Sequence, residues 1–360
     1  MSGQAILVAG GYGVVGRRIA ADLAPDYPGR VIVAGRNPER ATATAAAIGH
    51  GVRGRALDVT VPSSIAAALD DVAVVVSCID QPRRSLLHAA IERGLRYTDI
   101  TPHLTELGRG VTYEHIDAAA SASGARVLLG AGLVPGISNV MVRAVADTLG
   151  GADTIETSLL LTAGDVSGPA SLDYFLQELT MPFAVYVDGA DRPARAFSGP
   201  RVVEFPSPVG PRRAYLFPFS DQVLYPRTMR ARTVLSRLAL DPPWLARLLA
   251  VLIGTGAARL VARQRVRHAL ARVRRDRVAR QDASFALRVD VTRGGRSSYA
   301  TLAGRVQADA AAAGAAALVG SLLDGEIDEP GAWMPEQVID PPSFFSRLAR
   351  YGSSVELARA

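Results

Sequence analysis

The sequence has no lysine, and all 40 of its basic side chains are arginine. That excludes a Schiff-base lysine and a lysine general base anywhere in the chain. Cysteine is nearly absent too. Cys78 stands alone, so no intrachain disulfide can form, which fits a reducing cytoplasm. No uninterrupted apolar run reaches the ~18 residues that a membrane-spanning helix needs. No basic stretch precedes the first apolar run, which is also too short for a secretory signal. No metal site is expected.

What is present is a long, half-hydrophobic chain of 360 residues, enough for two domains. Its net charge of +6 is concentrated in one place. Residues 227–280 hold 14 arginines against Asp241 and Asp276, a local +12, which leaves −6 for the remainder. The high isoelectric point is therefore one segment's property. It is no general nucleic-acid footprint, and no aromatic residues interleave the arginines as a stacking platform.

The chain is organised around Gln4–Gly16. Ala5–Ala9 reads as a strand buried on both faces, followed by a glycine-rich turn and a helix. In such a unit Gly11 allows the tight turn, Gly13 admits a pyrophosphate to the backbone, and Gly16 lets the helix close on the strand. Gly10, Gly11, Tyr12, Gly13, Val14 and Val15 are thus expected to hold a dinucleotide at the helix N-terminus. A second strand, Val31–Ala34, ends at Arg36, Asn37 and Arg40, where an NAD enzyme would carry an acid for the ribose hydroxyl. A guanidinium there suits a 2′-phosphate, so NADP(H) is the expected cofactor. The plainer alternative is that Arg36 is only a solvated residue after a strand.

Further strands are expected at 52–57, 72–77, 95–100 and 126–129, with helices at 82–92 and 111–122. Strands and helices alternating in this way predict a doubly wound (Rossmann) parallel sheet. Asp58 and Val59 fall at one strand end, where Asp58 could bond adenine or cap the next helix, with Ser63 a second cap candidate. Ser77, Cys78 and Ile79 end another strand, where the nicotinamide half would lie. Asp99 ends a third. All sit at the carboxyl edge of the sheet, where ligands bind in open α/β folds.

From Thr154 the pattern changes to alternation, as in Ile155, Thr157 and Leu159, and later Phe285, Leu287, Val289 and Val291. This predicts an inserted α+β domain with a mainly antiparallel sheet over 151–306, the dinucleotide domain being 1–150 plus 307–360. Ser171–Leu179 reads as a helix within it, and Asp188-Gly189 as a turn. Leu245, Leu248, Leu249 and Leu252 share a helix face in the basic insertion, 227–280. That insertion reads either as an amphipathic lid or dimer contact, or as a peripheral membrane contact over 244–280. Asp309–Leu323 reads as an alanine-rich helix returning to the first domain, and the apolar tail to Leu348 as docked.

Four stretches resemble the saccharopine dehydrogenase family in its NADP-binding branch: Gly10–Gly16 with Val31–Asn37; Tyr97–Pro102; Gly132-Leu133-x-Pro135-Gly136-Ile137; and Asp324–Pro335 with Pro341–Tyr351. The resemblance implies a Rossmann domain completed by C-terminal elements, a homodimer, and hydride transfer between NADP(H) and a C=N or carbonyl carbon. Members with lipid-linked substrates reduce C=C bonds instead. Pro135 and Gly136 are expected to bind substrate, and Asn139, at the start of the helix that follows, could donate to the substrate or cap. Candidate proton donors are Asp99, His103 and Tyr174, although Asp99 could simply fix a loop. Three readings stay open: an imine or carbonyl reductase of a small amine- or keto-acid-derived substrate, an enoyl reductase of a hydrophobic or lipid-linked one, and an NADPH-binding scaffold without chemistry.

Overall fold

The computed structural model describes residues 4–79, 81, 83–100, 111–162, 175, 178–179, 181–255 and 284–358. The chain divides into two compact units, Met1–Val140 with Asp309–Ser353, and Met141–Ala308 with Ser354–Ala360.

The first unit opens as an alternation of strands and helices: β1 (Ala5–Ala9), α1 (Val14–Asp26), β2 (Val31–Gly35), α2 (Pro38–Ile48), β3 (Arg53–Ala56), α3 (Pro62–Ala68), β4 (Val72–Ser77), α4 (Ser85–Glu92), β5 (Arg96–Asp99), α5 (Val111–Ser123) and β6 (Arg126–Leu128); α6 (Ile137–Leu149) follows, its residues from Met141 on belonging to the second unit. β1 and β2 are buried at every position because helices cover both faces of a parallel sheet. α2 shows why the helices start where they do. Asn37 Oδ1 accepts from the Arg40 N–H (2.7 Å) and Pro38 occupies the first turn. β1 pairs in parallel with β2 on one side and β4 on the other, so the winding reverses between β1 and β4.

The second unit contains β7 (Thr154–Thr162), β8 (Phe183–Val187), β9 (Ala190–Ala194), β10 (Arg201–Phe205), β11 (Gly210–Leu216), α7 (Asp221–Thr228), β12 (Thr233–Asp241), α8 (Pro243–Gly254), β13 (Phe285–Arg293) and β14 (Arg296–Gly304). The chain ends with α9 (Gln307–Leu323), β15 (Gly331–Trp333), α10 (Pro335–Val338), α11 (Pro341–Arg350) and β16 (Glu356–Leu357). The second sheet runs β10-β11-β12-β7-β13-β14-β16, with β8 on β12 and β9 on β8. Its ladders are antiparallel except one, since β7 and β12 run parallel over nine residues. The sheet is therefore mixed. One face of β7 is buried as the alternation requires. On the other face Leu160, Ala239 and Ala286 pack under Val203, Phe205 and Ala214, so the sheet's own β10–β11 hairpin is the cover. Arg288 Nη1 donates to the Glu204 carbonyl (2.9 Å), and Glu156 receives Arg201 and Arg237, which fastens the hairpin down.

In the first unit β15 extends the parallel sheet by pairing with β6. Arg126 reaches the Ile327 and Asp328 carbonyls at 2.9 and 2.6 Å, and Asp117 accepts from the Ala332 N–H at 2.8 Å. α9 is alanine-rich because it is buried almost all round, with Ala312, Ala313 and Ala315–Ala317 at 0% exposure. Phe344 and Leu348 dock α11, as the apolar tail requires. The helix expected from Pro82 starts at Ser85. Its preceding residue, Arg84, has a left-handed backbone (φ +49°) that no helix can include.

Candidate active site

The carboxyl edge of the parallel sheet carries the candidates. At the glycine-rich turn the left-handed residue is Gly10 (φ +76°). A Cβ on Gly10 would lie 2.6 Å from Ile79 Cγ2 and 3.2 Å from the Cys78 carbonyl, so β4 seats directly on the turn. Gly11 is tight for another reason: its Cβ would lie 2.8 Å from the Val8 carbonyl and 3.1 Å from Val33 Cα. A Cβ on Gly16 would overlap the Gly10 carbonyl, so Gly16 is what lets α1 close on the turn. At Gly13 only the Gly10 carbonyl is near, at 3.1 Å. α1 starts there with no side-chain cap and no acid in its first turn. Val14 is 47% exposed beside it. This is a cradle of backbone amides with room for an anion, and a dinucleotide's phosphates fit it.

Tyr12 joins this turn to the next strand. Its ring lies where a Cβ on Gly35 would stand, 2.7 Å from Tyr12 Cζ, and its hydroxyl accepts from the Asn37 N–H at 3.2 Å. The Arg40 guanidinium sits 4.7 Å from the ring centroid. Arg36, the residue after β2, is exposed. Two guanidiniums therefore flank the end of β2, one of them held by an aromatic face.

Asp58 Oδ1 accepts from the Thr60 N–H (2.9 Å) and hydroxyl (2.7 Å), and these bonds hold its carboxyl below the usual carboxylate range. It does not cap α3. The cap residue is Val61, and Ser63 lies inside the helix. Ser64 is the serine in use, its Oγ accepting from the Asp58 N–H at 2.9 Å. Val59 lines an adjoining cleft of about 680 Å³ between α3 and α4, with Thr60, Gln81, Arg83 and His88.

Ser77 Oγ accepts from Gln81 Nε2 at 2.9 Å, and Gln81 Oε1 accepts from the Leu86 N–H at 2.9 Å. Gln81 thus ties the end of β4 to the start of α4, a role that no motif signals. Burial, with the nearby Asp99 charge, pushes the Cys78 thiol up to about 12. A nucleophile needs its thiolate, so this thiol is not set up to act as one.

Asp99 is 7% exposed. Its Oδ1 accepts from the Gly130 N–H (3.2 Å) and its carbonyl from the Ala131 N–H (2.6 Å). It is a loop-fixing residue in this geometry, which was one of its two expected roles. The loop it fixes leads to Gly132–Gly136. Gly132 donates to the Pro135 carbonyl at 2.9 Å. Gly136 (φ +128°) lies so close that a Cβ there would be 2.7 Å from Gly132 C. α9 presses on this loop through Gly314, whose Cβ would be 2.8 Å from the Gly132 carbonyl. Asn139, fully buried, accepts from the Gly136 N–H at 2.7 Å and donates to Glu336 Oε2 at 2.7 Å. Both ends of the Asn139 amide are engaged inside the protein, so here it shapes the loop. Glu336, itself fully buried, is a residue that sequence reasoning missed. Its only signal is an acid set in an apolar tail.

The remaining proton-donor candidates, His103 and Tyr174, lie outside the described residues. So does most of the Ser171–Leu179 stretch. Among the described residues no group of three His, Cys, Asp or Glu side chains could hold a metal ion.

Residues 6–125 match the family described as saccharopine dehydrogenase NADP binding domain. Among solved structures, saccharopine dehydrogenase (L-Glu forming) from Saccharomyces cerevisiae aligns over 99% of this chain and 100% of its own, with a TM-score of 0.69 and 16% sequence identity. GenD2 from gentamicin A biosynthesis, solved in complex with NAD, aligns over 100% of this chain and 97% of its own, with a TM-score of 0.45 and 14% identity. 3-Hydroxyacyl-CoA dehydrogenase type-2 from Mycobacterium avium aligns over 35% and 72%, with a TM-score of 0.29 and 17% identity. No curated protein matches the sequence. The first unit is thus built on a saccharopine dehydrogenase NADP binding domain. It binds a nicotinamide dinucleotide, and the whole chain has the saccharopine dehydrogenase fold. The match of residues 6–125 supports a nicotinamide-dinucleotide-dependent oxidoreductase.

Proposed function

From the premise that this chain carries a saccharopine dehydrogenase NADP binding domain, we propose that it is an NADP(H)-dependent reductase. Its substrate is the imine or carbonyl carbon of a small amine- or keto-acid-derived molecule. When bound, the dinucleotide supplies the hydride. The chain's own residues bind and orient. The Gly10–Gly16 turn and the open end of α1 receive the pyrophosphate. The turn at the end of β2 presents Arg36 and Arg40 to the 2′-phosphate. Asp99, Asn139 and Glu336 hold the Gly130–Gly136 backbone at the sheet edge. A fixed wall of this kind keeps reacting atoms in register, where small displacements slow the reaction. An iminium substrate is already activated, so the engagement of Asp99 by the loop is compatible with the reaction. Substrate recognition we assign to the second unit.

One observation carries the cofactor preference. The residue after β2 is an exposed arginine, Arg36, and a second guanidinium, Arg40, is stacked on Tyr12. A dianionic phosphate is matched by that pair, whereas a ribose hydroxyl needs an acceptor. Calorimetric titration tests it. Arg36→Ala is expected to weaken NADPH roughly ten- to a hundredfold, the loss of a charge-assisted hydrogen bond, and NADH only slightly. Equal losses for the two cofactors would remove the case for 2′-phosphate recognition. Loss of 340 nm absorbance with candidate imines, ketones and enoyl compounds then separates the reductase from a scaffold.

A further inference from the structure

α8 is apolar on two sides. Ala246, Leu249 and Ile253 are buried. Trp244, Leu248 and Val251, four and three residues apart, form a second row that faces solvent at 58%, 45% and 61% exposure. Arg247, also exposed, is the only charged residue on the helix. Large apolar side chains lined up on an exposed helix face mark an interaction surface. We propose that this row docks the protein on an anionic lipid bilayer, with α8 lying in the headgroup plane.

Charge selects this occupant. Residues 256–280, which follow α8 directly in the chain, hold nine arginines and one acid, and Arg247 is exposed on α8 itself. A second copy seated on the same row would bring a second arginine-rich stretch of the same sign to the first, which disfavours a two-fold contact. A nucleic acid would pair with the arginines but leave the Trp, Leu and Val side chains in water. A surface both apolar and anionic uses both features, and each arginine near it adds attraction that salt screens. Tryptophan is suited to this depth, since its ring is apolar and its N–H stays hydrated. Among the described residues no helix is long and apolar enough to cross a membrane, so the contact is along the surface. This inference does not depend on which bond the protein reduces.

Flotation of the full chain with vesicles tests it, using equimolar phosphatidylglycerol and phosphatidylcholine against phosphatidylcholine alone. Wild type is expected to float with the anionic vesicles, to be released by salt, and to stay behind with the neutral ones. Leu248→Glu and Val251→Glu are expected to lower partitioning roughly tenfold or more, because each exchanges buried apolar surface for a repelled charge. NADPH affinity read on the same variants confirms that they are folded. Trp244 fluorescence should shift to the blue on the anionic vesicles and lose the shift in Trp244→Phe, leaving Trp333 as background. Equal flotation of wild type and Leu248→Glu would overturn the proposal. So would no flotation, or a dimer in solution that Leu248→Glu dissociates.

Discussion

Gly136 is where the backbone around the candidate site is most tightly closed, and replacing it by alanine is a quantitative test of that geometry. Two effects add. The backbone sits at φ +128°, a region that side chains rarely adopt, with a strain of about 1–3 kcal/mol. The new Cβ would also overlap the Gly132 backbone, 2.7 Å from its carbonyl carbon. Gly132 cannot retreat, because Gly314 of α9 lies behind its carbonyl. Relief must therefore loosen two hydrogen bonds, Gly132 N–H to the Pro135 carbonyl and Gly136 N–H to Asn139 Oδ1, at about 1 kcal/mol each. The sum is about 3–5 kcal/mol, a large share of an ordinary domain's stability. Gly49→Ala is the matched control. It too has a backbone that glycine alone adopts readily (φ +78°, ψ −146°) but nothing within 4 Å of its Cβ, so only the conformational part, about 1–3 kcal/mol, applies. Urea unfolding followed by circular dichroism compares the two. The expected result is a Gly136→Ala midpoint far below that of Gly49→Ala, or no soluble Gly136→Ala protein at all. Two variants equal within ~0.5 kcal/mol would refute the close approach of the two glycines.

Two further predictions concern titratable groups. Burial lifts the Asp22 carboxyl from 3.8 to about 6, against the pull of Arg18. The folded state then holds this proton more tightly than the unfolded one, so the stabilisation is complete at pH values below 3.8 and is lost as pH rises through about 6. Asp22→Asn should therefore melt higher than wild type at neutral pH and no higher in acid; a difference independent of pH would contradict the assignment. Cys78, its thiol raised to about 12, should resist iodoacetamide in the native protein and react readily once unfolded, as read by mass spectrometry.

Much of the first unit was legible because its signals are local. Val31–Ala34 and Val72–Ser77 are short apolar runs between turn residues, and the glycine spacing with Arg36 lies within one stretch of the opening 40 residues. What was missed depends on partners far away in the chain. Of two adjacent glycines, spacing alone does not say which takes the left-handed backbone; in the fold it is Gly10. Alternation in β7 revealed a half-buried strand but carried no direction, so the parallel ladder to β12 was invisible. Asn139 looked available until Glu336, 197 positions later, was found to hold its amide. The cap of α3 is Val61, which has no capping side chain, and Asp58, three residues earlier, bonds Thr60 instead.

The seventh strand of the parallel sheet has a consequence for how the protein is made. β15 sits beside β6, yet the ribosome delivers it about two hundred residues later. During that interval the nascent nucleotide domain presents an open row of unpaired amides and carbonyls at β6. Emerging chains in that condition invite wrong partners, including one another. Biogenesis here should accordingly favour slow, chaperone-guarded completion, with the late arrival of a three-residue strip sealing the domain.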